Sequence, residues 1–423
     1  MGIEIKAFKG TRYNIEKFGR DWTDLVCPPY DVIRDSEREG LLSTSPYNFV
    51  NLILSIPLSS INNAEARQYG SVRKQIEQWK QEGVLLKDDK EGIYAYKQDY
   101  EYNGEKKTRY GFIAILRLPD EDGWVLPHEN THDGPKDDRF DLIKNTMSIL
   151  EPVFFLLPDD GAIFKHIKEV VDKDADDIVI ARNDGMHYCR KIEDGIWIDE
   201  LKKMAFSKRA LIADGHHRYA VARRFCEYMK EQGSYDPDGP YNYIMVYFAP
   251  MLEENLTILP INRKVLNFPI KDEDELLSKV EKWFDVFSAT DEELADIVNQ
   301  TTGYEWGIVC PFGMYKIRLK ESIDPAQVLK DMGGSTEYRK LYVVVLHKML
   351  FPLLGIEDSE ENLSYEKHLY EKGSKVEQGA LFVLRPISFR QVYDVSLKGE
   401  LMPQKSTFFY PKIKSGFVFF ELE

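Results

Sequence analysis

The sequence predicts an α+β protein in which mixed sheets are combined with helices. Two strand-like runs, Ile93–Tyr102 and residues 107–118, flank Asn103-Gly104, a dipeptide that favours a β-hairpin turn. Residues 64–82 carry apolar side chains at helical spacing, and residues 211–225 form an apolar run followed by a helix-like segment. Paired strands and helices in one chain are typical of the α+β class.

The same two periodicities place the other elements along the chain. Short runs of apolar and β-branched residues predict strands, and longer runs with a period near 3.6 predict helices. The further predicted strands are residues 49–56, 152–157, 243–250 and 256–263, strand-like pieces within 185–198 and a hairpin within 306–318. The further predicted helices are residues 141–150, 162–172, 201–206, 273–287, 292–300 and 341–351.

Length and composition limit the classes of protein that fit. The 423 residues are enough for two or three domains, and we place a boundary near residue 250, between regions 1–250 and 251–423. The formal net charge of −15 opposes a general nucleic-acid-binding surface. No apolar run is long enough to span a membrane, and the N-terminus lacks the apolar core of a signal peptide.

The cysteines predict a reducing environment. Four cysteines are spread over the chain without a Cys-x-x-Cys pair, which indicates reduced thiols and a cytoplasmic location. The sequence leaves the oligomeric state open.

The stretch that follows the strand at residues 211–214 combines the features of an anion-binding turn. Gly215 can adopt backbone conformations that cost other residues energy, and the first amide groups of a helix favour an anion. Arg218 adds a planar guanidinium suited to phosphate, and His216 and His217 lie between them. Asp214 ends the strand. A buried strand–turn–helix whose histidines only form hydrogen bonds is the alternative interpretation.

A second polar stretch begins after Pro127. His128, Glu129 and His132 match the His-Glu-x-x-His pattern of zinc proteases, but that pattern needs a helix. Pro127 precedes it and Asp-Gly-Pro follows it, which predicts a loop, so we expect no zinc.

The residues after this pattern suit phosphates or a hard metal ion. Lys136 and Arg139 are candidate phosphate ligands, and Asp138 is a candidate Mg²⁺ ligand, within what we expect to be one loop. A solvated turn with capping residues is the alternative.

A third polar stretch lies near the C-terminus. Lys405, Ser406 and Thr407 supply one charge and two hydroxyl groups, a set suited to phosphate or a small polar substrate. The alternative is that they cap and anchor the tail.

Several strings together resemble a bacterial and archaeal family catalogued as domain of unknown function 1015. The resemblance covers nearly the whole chain, and the combination of strings is specific. The matching strings are Pro28-Pro29-Tyr30-Asp31-Val32-Ile33, His128-Glu129-x-Thr131, Lys136-x-Asp138-Arg139, Asp214-Gly215-His216-His217-Arg218-Tyr219 and Met402-Pro403-Gln404-Lys405-Ser406-Thr407. One departure is Asn262, which stands where the family usually has the histidine of Pro-x-His-Arg.

A more local similarity concerns the turn at Gly215 to Ala220. It resembles the Gly-Cys-His-Arg-Tyr-Ala turn of sulfiredoxin and the corresponding turns of the partition-protein fold and the free-serine kinases. The resemblance implies a nucleotide-type core, a C-terminal α+β half that packs back on it, and ATP or ADP with Mg²⁺ as cofactor. His216 replaces the catalytic cysteine of sulfiredoxin, which opposes sulfinic-acid repair.

Two hypotheses of different classes follow. The first is a phosphotransferase or phosphatase with a small phosphate-bearing ligand; gene neighbourhoods of the family imply serine or phosphoserine. Its candidate acid–base residues are Glu129, His128, Asp214 and His216, and its candidate phosphate ligands are Gly215, His217, Arg218, Lys136, Arg139, Lys405, Ser406 and Thr407. The second is a nucleotide-responsive binding protein related to partition proteins, which keeps the phosphate-binding turn without catalysis. A scaffold without any ligand is a third.

Overall fold

The structure is a computed structural model. It describes residues 2–57, 69–119, 123–129, 134–173, 178–182, 184–233, 235–300, 302–359, 361–367, 370–403 and 405–423. Of residues 134–136 only the backbone is described. The chain divides into two compact units. The first unit comprises residues 1–127, 131–256 and 411–423, and the second comprises residues 128–130 and 257–410.

A mixed sheet forms the centre of the first unit. Within the described residues it contains nine strands, of which Val153–Pro158 pairs in parallel with Tyr243–Met251, and Ala210–Asp214 with Val125–Leu126. The other neighbours are antiparallel. The strand order is Val125–Leu126, Ala210–Asp214, Val153–Pro158, Tyr243–Met251, Glu105–Arg117, Ile93–Tyr102, Met186–Ile192 and Val179–Ala181, with Ile5–Lys6 beside Glu105–Arg117.

Helices and two small sheets complete this unit. Thr11–Tyr13 pairs with Leu85–Lys87, and Phe420–Glu421 pairs with Ser148–Ile149. Side chains of the central strands, such as Phe112, Phe155 and Phe248, are fully buried and form the core. The α-helices are Ile15–Phe18, Asp35–Thr44, Val50–Ile53, Gly70–Gln81, Gly134–Thr146, Ala162–Val171, Gly195–Phe206 and His216–Glu231.

The second unit contains an antiparallel sheet with its own buried core. Its strands, in order, are Phe284–Ser288, Gly313–Leu319, Glu305–Cys310, Ala380–Val383, Asn262–Val265 and Leu363–Glu366, and Thr257–Ile258 pairs separately with Phe409–Tyr410. Trp306 and Phe382 are fully buried in it. The α-helices are Glu273–Val280, Asp291–Ala295, Pro325–Val328, Thr336–Arg339, Tyr342–Val345, Phe351–Leu354 and Phe389–Leu397.

The predicted α+β class is confirmed, and the hairpin is found where its turn signal lies. Ile93–Tyr102 pairs with Glu105–Arg117, and Asn103 and Gly104 both have positive φ, at 53° and 76°. This is the backbone that a two-residue hairpin turn needs. Among the described residues, no helix is long and apolar enough to cross a bilayer.

Several local predictions are wrong. Residues 49–56 contain the helix Val50–Ile53 instead of a strand, because this apolar segment is too short for periodicity to distinguish the two. The polar stretch around Asp138 is the helix Gly134–Thr146 instead of a loop, with Pro135 near the helix start, where a missing N–H costs nothing. The predicted helix 273–287 ends at Val280, and its last part is the strand Phe284–Ser288.

The segment 341–351 is helical as predicted, with an irregular centre. It consists of Tyr342–Val345 in α-helix, Leu346–Leu350 in π-helix and Phe351–Leu354 in α-helix. Pro352 cannot donate a backbone hydrogen bond to the preceding turn, which favours a wider turn here.

Candidate functional site

The strand–turn–helix predicted around Gly215 is present in the first unit. The strand Ala210–Asp214 ends at Gly215, whose φ is 88°, and the helix His216–Glu231 begins directly after it. The N-cap residue is Gly215 itself, which has no side chain to cap the helix. The positive φ favours glycine at residue 215, and a Cβ atom there would lie 3.1 Å from the guanidinium of Arg218, which would have to shift by a few tenths of an ångström.

Two cations hold the carboxylate of Asp214. Lys412 Nζ lies 2.5 Å from Oδ1, and Arg218 Nη2 lies 3.0 Å from Oδ2. Burial raises the pKa of Asp214, but Lys412 and Arg218 outweigh it and lower the pKa to about 2. Asp214 is therefore ionised at neutral pH and is a weak base, which favours a charge-balancing role over general-base catalysis.

Arg218 has one donor that no described group uses. Its Nη1 donates to the carbonyl of Pro152 at 2.6 Å, and its Nη2 donates to Asp214. Its Nε is buried without a hydrogen-bond partner among the described residues. A buried unsatisfied donor costs about 1–3 kcal/mol, so this atom indicates a place for a water molecule or a ligand.

A network of buried charges lies beside Arg218. Arg139 Nε donates to Asp138 at 2.7 Å, its Nη1 donates to the carbonyl of Ile53 at 2.7 Å, and its guanidinium lies 4.2 Å from the ring centroid of Tyr30. Asp138 also accepts a hydrogen bond from Tyr69. The carboxylate of Asp138, predicted as a metal ligand, is thus the buried counter-ion of Arg139.

Glu151 completes this network, and the sequence analysis missed it. Its Oε1 accepts from the amide of Tyr30 at 3.0 Å and from the hydroxyl of Ser415 at 3.1 Å, and its Oε2 lies 3.7 Å from Arg139 Nη1. Burial raises its pKa, a shift that Arg218 and Arg139 oppose. The only signal in the sequence is a carboxylate two residues before an apolar strand.

The first unit therefore brings together motifs that are far apart in the sequence. Burial lowers the pKa of Arg218, but Glu151, Asp31 and Asp214 together outweigh burial and raise it. The Pro-Pro-Tyr-Asp string therefore borders this site. Four parts of the chain meet around Arg218 and Asp214. They are the turn at Gly215, the helix that carries Arg139, the string that contains Asp31, and the segment that contains Lys412. His216 and His217 lie in the first turn of the helix and are partly buried.

The second unit brings together several other predicted residues, from the His128 and Lys405 stretches. His128 Nε2 lies 2.8 Å from the hydroxyl of Thr407, and that hydroxyl lies 3.5 Å from Glu129 Oε1. The amide of Met402 donates to the carbonyl of His128 at 2.7 Å. Residues 128–129 are extended and bridge to this segment, so they do not form the helix that a His-Glu-x-x-His zinc site needs.

Lys405 and Ser406 lie in the same segment. Lys405 is exposed and has a φ of 54°, and Ser406 donates to the carbonyl of Pro403 at 2.5 Å. Asn262 accepts a hydrogen bond from the amide of Leu384 at 2.9 Å, so the residue that replaces the family's histidine helps to join two strands.

Some predicted residues fall outside what the structure describes. Residues 130–133, which include Thr131 and His132, and residue 404 are outside the described part of the chain, and for Lys136 only the backbone is described. Among the described residues, no group of three or more His, Cys, Asp or Glu side chains is arranged to hold a metal ion.

Solved structures show weak similarity to this chain. SbnI with a C-terminal truncation from Staphylococcus aureus is 13% identical, with a TM-score of 0.35 over 71% of this chain and 84% of that one. A free serine kinase variant in complex with ADP is 13% identical, with a TM-score of 0.29 over 69% and 89%. A conserved hypothetical protein from Pyrococcus furiosus is 15% identical, with a TM-score of 0.28 over 69% and 92%.

Sequence comparison places the chain in a family. No curated protein matches it. A family model described as a protein of unknown function (DUF1015) matches residues 5–343, which is well over half of the 423 residues. The family predicted from the motifs is confirmed, and the string at residues 402–407 lies outside the matched range. The chain belongs to the DUF1015 family.

Proposed function

We propose that this protein is a phosphate- or nucleotide-dependent enzyme of the kinase or phosphatase type, acting in the cytoplasm on a small polar substrate such as serine or phosphoserine. The observation that carries the proposal is the turn at Gly215. It combines a helix start with glycine at the N-cap, an arginine with a buried, unused donor, and a lysine held beside it by Asp214. Helix amide groups and guanidinium donors are the groups that bind phosphate in proteins.

The proposed roles follow from the geometry of the turn. The amide groups at the start of the helix and Arg218 bind a phosphate, and Lys412 neutralises charge during transfer. Asp214 keeps both cations in place, because its low pKa leaves it ionised. His216 is the candidate for proton transfer near neutral pH at this turn, and His217 is a candidate phosphate ligand.

The residues of the second unit have roles in the same proposal. Glu129 and His128 are a candidate acid–base pair, and Lys405, Ser406 and Thr407 are candidate phosphate ligands. ATP or ADP is the proposed cofactor. Since Asp138 is already paired with Arg139, Mg²⁺ would enter bound to nucleotide phosphates, as it does in many phosphotransfer enzymes.

Thermal-shift measurements test ligand binding. The wild-type protein is melted with ATP, ADP, CTP, serine and phosphoserine, each with and without Mg²⁺, because a ligand that binds only the native state raises the melting temperature. We expect a shift with at least one phosphate-bearing compound. Arg218→Ala and Arg218→Lys should abolish it, whereas Arg224→Ala, on the exposed side of the same helix, should keep it. No shift with any compound would overturn the proposal.

Turnover is then followed by ³¹P NMR. Phosphoserine formed from ATP and serine indicates a kinase, and inorganic phosphate released from phosphoserine indicates a phosphatase. Binding without either product would favour the non-catalytic, nucleotide-responsive protein instead.

A further inference from the structure

Arg263 is a buried arginine whose contacts lie entirely within the second unit. Its side chain is almost completely buried, with a residue exposure of 1%. Nε donates to His347 Nε2 at 3.1 Å, Nη1 donates to the carbonyl of Ile261 at 2.5 Å, and Nη2 donates to the carbonyl of Lys405 at 3.1 Å. The guanidinium also lies 4.8 Å from the ring centroid of Tyr365. Arg263 thus connects a histidine to the backbone of the Lys405 segment.

These contacts fix the protonation state of His347. A guanidinium can only donate, so Nε2 of His347 must accept and carry no proton. The proton of the neutral ring is then on Nδ1, which lies 2.9 Å from Asp358 Oδ1. Asp358 in turn lies 3.4 Å from Lys348 Nζ. His347 lies in the π-helical segment Leu346–Leu350, and such segments are frequent at functional sites.

The charges around this pair favour a neutral histidine. Burial lowers the pKa of His347, Asp358 raises it, and Arg263 and Lys348 lower it, with a net decrease. Burial lowers the pKa of Arg263 to about 10, although Tyr365, Asp358 and Glu129 favour its charged form. The ring of Phe351 packs on His347 at a centroid distance of 4.8 Å.

The segment that Arg263 holds has an unusual backbone. Lys405 is a non-glycine residue with a φ of 54°, a conformation that needs support from its surroundings. Arg263 supports it through the Lys405 carbonyl, and two residues later Thr407 is held by His128. The side chain of Lys405 stays exposed between these two anchors.

We propose that Arg263, held by neutral His347, which in turn is oriented by Asp358, is a positioning residue that fixes the Lys405–Thr407 backbone so that this segment can contact ligand phosphate. The ligand part rests on the function proposed above. The positioning part concerns only the Lys405–Thr407 segment. Protonation of His347 would release this segment, because it removes the acceptor for Arg263 Nε.

Limited trypsin digestion of the full chain measures how firmly the segment is held. At pH 7.5 we expect cleavage after Lys405 to be at least tenfold faster in Arg263→Lys and His347→Leu than in the wild type. Lysine at position 263 cannot reach both His347 and the Lys405 carbonyl, and leucine at position 347 cannot accept a hydrogen bond. His347→Gln keeps an acceptor and should stay within twofold of the wild type. Melting temperatures and cleavage at Lys279 show whether a variant has unfolded. Folded Arg263→Lys and His347→Leu variants that are cleaved at the wild-type rate would overturn the proposal.

Histidine NMR on the unaltered protein tests it without any variant. With ¹⁵N-labelled histidine we expect His347 to be neutral at pH 7 with its proton on Nδ1. On acidification the His128 signal should shift at the pH at which His347 is half protonated. Release of the segment then alters the contact between His128 and Thr407. A proton on Nε2, or a charged ring at pH 7, would overturn the proposal even if the variants fail to fold.

Ligand measurements separate the two proposals. For any phosphate compound that stabilises the wild type, Arg263→Lys should raise the dissociation constant about tenfold, and His347→Gln should leave it nearly unchanged. Unchanged affinity in Arg263→Lys would overturn the ligand part. If the wild type binds none of the compounds, the proposed function fails, whereas the digestion and NMR results still decide the positioning part.

Discussion

At the scale of single residues, the ion pair between Asp214 and Lys412 has a definite effect on stability. Its atoms are 2.5 Å apart and both side chains are largely buried, so neither charge is well hydrated if the other is removed. The two residues are 198 positions apart in the sequence, so the pair also fastens the C-terminal segment within the first unit.

Lys412→Met should lower the free energy of unfolding at pH 7 by about 1–3 kcal/mol, because Asp214 loses one of its two cations. The folded-state pKa of Asp214 is depressed to about 2. Its stabilising effect is therefore fully present above its unfolded pKa of about 3.9, and is lost as the pH falls from there towards 2. The difference in the free energy of unfolding between variant and wild type should shrink over this pH range. Urea unfolding at pH 7 and pH 3 measures it, with Lys412→Arg as the charge-conserving control. An equal difference at both pH values would contradict this explanation.

Gly215 can be tested against a glycine with the same backbone role. Gly161 also precedes a helix with positive φ, at 102°, but a Cβ there meets no atom within 4 Å. Gly215→Ala should therefore cost more stability than Gly161→Ala, which carries only backbone strain of about 1 kcal/mol. Only Gly215→Ala should also displace Arg218 and abolish any thermal shift with phosphate compounds. If ligands raise the melting temperature of both variants by similar amounts, the absence of a side chain at residue 215 is not needed for binding.

At the scale of elements, the hairpin Ile93–Tyr102 and Glu105–Arg117 depends on its turn. Gly104→Ala places a side chain at a φ of 76° and should destabilise the protein by about 1 kcal/mol. Gly40→Ala is the opposite case, because Gly40 lies inside the exposed helix Asp35–Thr44 and a Cβ there meets nothing within 4 Å. It should stabilise by about 0.5–1 kcal/mol through helix propensity. Thermal unfolding measures the stability of both variants, and changes of melting temperature in the same direction would refute this interpretation.

The helix Gly134–Thr146 shows how an element decides the role of its residues. On a loop, Asp138 and Arg139 would be available to ligands. On this helix both side chains are buried, and they pair with each other and with Tyr69. Helix formation therefore makes both residues part of the buried charge network beside Arg218, with Asp138 paired to Arg139.

At the scale of the whole molecule, residues 411–423 belong to the first unit although the chain between residues 257 and 410 forms the second. This tail contributes Lys412 and Ser415 to the site and pairs Phe420–Glu421 with Ser148–Ile149. It also buries apolar side chains in the core, namely Phe417, Val418, Phe419, Phe420 and Leu422.

A chain ending at Tyr410 should not fold its first unit. Each buried apolar side chain contributes about 1.5–3 kcal/mol, so five of them approach the 5–15 kcal/mol that stabilise a typical domain. Far-UV circular dichroism and proteolysis of the shortened chain check this, with full-length Lys412→Met as the control that removes only the ion pair. A shortened chain that melts cooperatively at the wild-type temperature would contradict the expected role of the tail.

The sequence by itself determined the α+β class, the hairpin at Asn103-Gly104, the strand–turn–helix at Gly215 and membership of the DUF1015 family. The three structural features depend on residue types within a few positions of one another, so local backbone preferences and side-chain periodicity specify them. Family membership depends instead on a combination of strings spread along the chain. The tertiary structure alone decided that Val50–Ile53 is helical, that Glu151 joins the site, that Lys412 lies against Asp214 and that Arg263 holds Lys405. Those outcomes depend on contacts between residues distant in the chain, where packing and the need to pair buried charges outweigh local preference.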